Sequence, residues 1–139
     1  MADPPLASGL PPTYDPRMMV ERDLIDVIDT IRERDPRYRR ESYLFVMAAL
    51  DHVVRRLVRP RHVSGQELLQ GIVSLAKDQF GPLAHTVLDE WGLDTSLDVG
   101  NVVFHLVEAG VLGREPTDSI DDFQGGIDIR HELEPKHRS

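Results

Sequence analysis

The 139-residue chain contains no cysteine. Disulfide scaffolds, thiolate zinc sites, iron–sulfur clusters and cysteine nucleophiles are thereby excluded. Long hydrophobic runs are missing as well. The longest unbroken one, Tyr43 to Leu50, has eight residues, whereas a membrane-spanning helix needs roughly 20. The first ten residues hold no lysine or arginine, so the charged start of a signal peptide is lacking and the expected compartment is cytoplasmic, with no membrane partner. No phosphate loop of the form G-x-x-x-x-G-K-[ST] occurs, no G-x-G-x-x-G, and no G-x-S-x-G elbow. Cations are outnumbered, 16 Lys and Arg against 24 Asp and Glu, for a net charge of −8. That balance disfavours a nucleic-acid coat or a basic membrane-surface protein.

What is present fits one helical domain. The length suits a single core, and 40% of the residues are hydrophobic. Residues 1–16 hold five of the ten prolines and read as a flexible or polyproline-like leader. Asp15-Pro16 and Asp35-Pro36 both read as N-cap plus first helical position. They predict helices over 16–34 and 37–58, the second apolar all round in its first half and therefore central. Ser64-Gly-Gln-Glu67 reads as a capping box opening a helix over 65–80. Gly81-Pro82 separates it from a helix over 83–91, which Gly92 suits as a left-handed cap. Thr95-x-x-Asp98 opens a fifth helix over 96–109. After Leu112 the periodicity fails. The expectation is an all-α fold: a compact five-helix domain over 17–112, with extended N- and C-terminal segments, the latter an acidic tail over 113–139 with a short hairpin near Gly125-Gly126. Trp91 is expected to be largely buried between the fourth and fifth helices.

Charge is unevenly spread. Residues 32–62 hold nine arginines against four acids, a net of +5 inside an acidic protein. On the second helix His52, Arg55, Arg56 and Arg59 fall at i, i+3, i+4 and i+7 and form one stripe, roughly opposite the core face centred on Leu50. Arg61 and His62 follow in the connection, and Arg39 and Arg40 lie at the other end. Arginine suits planar, bidentate binding of carboxylate or phosphate. These eight residues are the candidate partner-binding set. The tail, net −3, is expected to fold back toward the same face, with Ile120 and Phe123 as apolar anchors.

Other chemistries have little support. His85 with Asp89 and His105 with Glu108 each offer two ligands on one helix face, which is too few for a metal site, so no metal or cofactor is expected. Ser64 reads as a helix cap rather than a nucleophile, and no catalytic residue is assigned. A small enzyme around His62, Ser64 and Glu67 is a remote alternative for which no mechanism can be written. The third to fifth helices followed by Glu108-Ala-Gly-Val-Leu112 are winged-helix-like in outline. The recognition helix in that reading exposes Asp98, Asn101, His105 and Glu108 with no lysine or arginine, which disfavours DNA binding.

Several phrases together carry a family resemblance: Asp35-Pro-Arg-Tyr-Arg-Arg-Glu-Ser-Tyr-Leu-Phe-Val46, Arg61-His-Val-Ser-Gly-Gln-Glu-Leu-Leu69, Phe80-Gly-Pro-Leu-Ala84, Val87-Leu-Asp-Glu-Trp-Gly92, Val102-Val-Phe-His-Leu-Val-Glu-Ala-Gly-Val-Leu112 and Asp118-Ser-Ile-Asp-Asp-Phe123. Over residues 20–125 the chain resembles a family of short single-domain bacterial proteins to which no activity is attached. The resemblance implies the domain boundaries and no catalytic residues. The functional expectation is a non-enzymatic interaction, adaptor or regulatory domain. It would hold an anionic protein or ribonucleoprotein surface through the arginines, with a winged-helix-like nucleic-acid-binding regulator as the alternative.

Overall fold

The computed structural model describes residues 20–112 and 123–134, with the side chains of 20–22 left aside. Among the described residues every regular element is helical. Five main helices follow in order: α1 (Val20–Arg34), α2 (Arg40–Val54), α3 (Gly65–Phe80), α4 (Ala84–Trp91) and α5 (Ser96–Glu108). A one-turn helix, α6 (Ile129–Leu133), follows the second described stretch. The all-α, five-helix expectation holds. A wing strand would fall on residues 113–122, outside the described residues.

The starts of α3 and α5 are set locally, as their sequences predict. Ser64 Oγ accepts from Glu67 N–H while the Glu67 carboxylate accepts from Ser64 N–H. Thr95 and Asp98 do the same for α5. Reciprocal bonds of this kind satisfy backbone donors that a helix start would otherwise leave open. Gly92 closes α4 at φ +96, and Leu93 N–H reaches back to Leu88 carbonyl at 2.8 Å. Gly81-Pro82 forms a single 3-10 turn (Gly81–Leu83) before α4 rather than its first residues.

α2 differs from its predicted span at both ends. Asp35 does not cap a helix. Its Oδ1 accepts from Arg37 N–H at 3.2 Å, an Asx-type turn, and Tyr38 is then drawn inward by bonds to α5. The helix begins at Arg40, after an extended Arg39. It ends at Val54, four residues short of the predicted end, in i+3 turns from Arg56 N–H to Val53 carbonyl and Leu57 N–H to Val54 carbonyl. Pro60 disfavours a helical Arg59. Beyond Val54 the chain turns away from the core of the described residues, and Val58 is 99% exposed.

The core lies where these helices meet. It includes Ile28 of α1, Tyr43, Val46 and Ala49 of α2, Leu69 and Ile72 of α3, Leu88 of α4, and Val99, Val102 and Leu106 of α5. α2 and α3 make the most extensive helix pair. They approach closely at Gly71, where a methyl group would lie 2.4 Å from Val53 Cγ2. Arg39 N–H and Ser42 Oγ both donate to the Trp91 carbonyl, at 3.0 and 2.7 Å. The start of α2 thus satisfies a carbonyl at the end of α4. Trp91 is mostly covered, as expected, but by different neighbours. Its ring packs against Phe45 of α2 and Phe80 of α3, with centroids 5.6 and 5.7 Å away.

The described C-terminal stretch is more ordered than its composition predicts. Phe123 is buried against Gly100. Ile127 N–H donates to Gln66 Oε1 and Ile127 carbonyl accepts from Ser96 Oγ. Asp128 caps α6, and Ile129 and Leu133 join the core. Gly125 and Gly126 both take positive φ, but helix follows them where a hairpin was expected. Ile120, named with Phe123 as an anchor, lies outside the described residues.

Candidate interaction surface

The early end of α2 removes the arginine stripe as a helix face. Arg55 and Arg56 sit in turns and Arg59 lies in the irregular connection, so the i, i+3, i+4, i+7 geometry fails after His52. His52 itself is half-buried, and its Nε2 is enclosed without a hydrogen-bond partner among the described residues. Arg39 and Arg40 lie at the other end of a 15-residue helix, about 20 Å away. There they have internal work. Arg40 makes a forked contact with Asp29 of α1, and Arg39 reaches Glu90 of α4 at 3.9 Å. The structure therefore does not bring the eight candidates together. It leaves Arg55, Arg56, Arg59, Arg61 and His62 in one connecting segment, all exposed.

Within that segment the charges are unequally matched. Arg55 pairs with Asp51 at 2.7 Å. Arg61 makes two bonds to the Glu67 carboxylate, at 2.9 and 2.7 Å. The Arg61 guanidinium, helped by Ser64 N–H, pulls the Glu67 carboxyl down to about 2. Both pairs are surface pairs, worth about 0–1 kcal/mol each and weakened by salt. Arg56 and Arg59 have no acidic partner among the described residues. Between them stands fully exposed Val58, with Val54 45% exposed nearby in sequence. Asp128, Glu132 and Glu134 of the tail make no ion pair with the Arg37–Arg61 region. The tail's described ion pair is instead a forked grip of Arg130 on Asp94. Glu115, Asp118, Asp121 and Asp122, the other acids of the expected fold-back, lie outside the described residues.

A polar node that periodicity misses joins the α1–α2 turn to α5. Tyr38 Oη donates to Asp98 Oδ1 at 2.8 Å and accepts from Asn101 Nδ2 at 2.9 Å. Tyr43 Oη lies 2.9 Å from His105 Nδ1, and His105 Nε2 lies 3.4 Å from Asp35 Oδ2. Arg37 forks onto Asp35 and holds its carboxyl down to about 2. Burial raises both tyrosines to about 12. The neutral Nε2–H tautomer of His105 serves both neighbours, accepting from Tyr43 and facing Asp35. Burial lowers the His105 pKa against the opposing pull of Asp35. Asp98, Asn101 and His105, expected on the exposed face of a recognition helix, thus face inward. The outer face of α5 carries Leu97, Phe104 and Glu108 instead. The polar spacing 98, 101, 105 is legible in the sequence, but its partners Tyr38 and Tyr43 are supplied only by the fold.

The remaining candidates resolve into structural roles. Ser64 and Glu67 form the α3 cap. His105 Nδ1 is occupied by Tyr43 rather than pointing outward with Glu108. Among the described residues no three His, Asp or Glu side chains are placed to share a metal ion, and no helix is long and apolar enough to cross a membrane. No family model, curated protein or solved structure matches the chain. The likeness to short bacterial proteins rests on the quoted phrases alone.

Proposed function

We propose that this chain is a non-enzymatic helical interaction domain that holds an anionic partner through the α2–α3 connection. One observation carries the reading. Arg56 and Arg59, three residues apart in one exposed connection, lack an acidic partner among the described residues. Arg34 and Lys77 lack one too, but singly, and Arg32 is held by the Tyr38 carbonyl, whereas Arg37, Arg39, Arg40, Arg55, Arg61 and Arg130 each have one. Arg55 and Arg61 flank Arg56 and Arg59 in pairs weak enough to re-form on a partner's carboxylate or phosphate. The winged-helix alternative is disfavoured, because the described outer face of α5 is apolar and acidic and offers phosphate nothing.

The test is retention on an immobilised polyanion such as heparin at low salt. A chain of net charge −8 is repelled by such a resin unless a local patch engages it. Wild type should be retained, and Arg56→Gln/Arg59→Gln should flow through. The charge-matched control Arg34→Gln/Lys77→Gln, exposed residues elsewhere on the surface, should behave as wild type. Equal elution of wild type and the Arg56/Arg59 variant would overturn the proposal.

A further inference from the structure

The α2–α3 connection presents more than charge. Val58, between Arg56 and Arg59 in sequence, projects its whole side chain into water, and the preceding Leu57 is only half-buried. An apolar contact offered at the centre of a cationic segment selects among anions. A phosphodiester backbone has no use for an aliphatic side chain. Stacking of single-stranded bases runs chiefly through Phe, Tyr and Trp rings, and residues 55–63 contain none of these, only the imidazole of His62. An anionic bilayer attracts basic segments, but it would face the whole of this chain, whose net charge of −8 opposes approach. A short acidic peptide meets the tip alone. Resting on the reading just given, we infer that the partner is an acidic peptide segment with an aliphatic residue between its carboxylates. Its carboxylates would lie on Arg56 and Arg59 as forked pairs, and its aliphatic side chain would cover Val58.

The experiment is fluorescence anisotropy with two labelled synthetic peptides, Glu-Glu-Leu-Glu-Glu and Glu-Glu-Ser-Glu-Glu. A thymidine oligonucleotide and phosphatidylserine vesicles serve as rival anions. The leucine peptide should bind about fivefold more tightly than the serine peptide, the scale of one partly buried aliphatic contact. Val58→Ser should abolish that difference and leave serine-peptide binding unchanged; a residue so exposed can be replaced without loss of fold. Arg56→Gln/Arg59→Gln should abolish binding of both peptides. Equal affinity for the two peptides, or tighter Arg56/Arg59-dependent binding of the oligonucleotide or vesicles, would overturn the acidic–aliphatic partner while leaving the anionic reading intact. If no anion senses Arg56 and Arg59, both fall together.

Discussion

Replacing Gly71 by alanine should destabilise the domain, although alanine is the better helix former. In an isolated helix the exchange gains about 1 kcal/mol. Here the new methyl group would sit 2.4 Å from Val53 Cγ2 and 3.4 Å from the Ala49 carbonyl oxygen. The second distance is tight but tolerable; the first is about 1 Å too short for any carbon pair. Val53 cannot swing away cheaply, because a β-branched side chain in a helix has one strongly preferred rotamer. Relief therefore requires α2 and α3 to part, at about 1–3 kcal/mol for overpacking of this kind. The propensity gain offsets some of this, leaving a net loss of up to about 2 kcal/mol. Urea unfolding followed by far-ultraviolet circular dichroism would read it as a lower midpoint at unchanged slope. The clash also predicts coupling. Gly71→Ala/Val53→Ala should lose less than the two single variants together, by about 1–2 kcal/mol. A Gly71→Ala protein more stable than wild type, with no coupling to Val53→Ala, would refute the close α2–α3 approach.

Trp91→Ala should cost roughly 3 kcal/mol, the lower end for a large aromatic because the indole is covered on most sides but not enclosed; a loss below about 1 kcal/mol would remove it from the aromatic cluster with Phe45 and Phe80. His105 predicts a pH dependence of stability with a definite sign. Its folded pKa lies below the ordinary 6.5, so the unfolded chain takes up the proton first. Its contribution is complete above pH 6.5 and is lost as the pH falls from there toward the folded value. His105→Gln should flatten the stability profile between pH 7.5 and 5, and an unchanged profile would show that His105 is not the titrating group.

Local rules carried the skeleton of this fold. Capping residues act on their own helix, so Ser64, Glu67, Thr95, Asp98 and Gly92 could be read where they stand and were found where expected. Apolar spacing placed Val46, Ile72, Val102 and Leu106 inward for the same reason: burial follows the face, and the face follows the period. Charge bookkeeping also pointed to residues 32–62 as the cationic part of the molecule.

Tertiary contact decided the rest. The point at which α2 stops depends on where its neighbours stop covering it, and no local signal before Pro60 records that the core ends near Val54. Those four missing helical residues dissolve the stripe, leaving a connecting segment in place of a helix face. The polar side chains of α5 were equally ambiguous. Asp98, Asn101 and His105 look solvent-facing by composition, and only Tyr38 and Tyr43, some sixty residues earlier, supply the hydrogen bonds that let them turn inward. Which arginines remain unmatched is likewise a property of the folded chain. Arg40 is matched by Asp29 and Arg39 by Glu90, across elements the sequence does not place side by side, so within residues 37–62 the arginines left without an acidic partner among the described residues are Arg56 and Arg59.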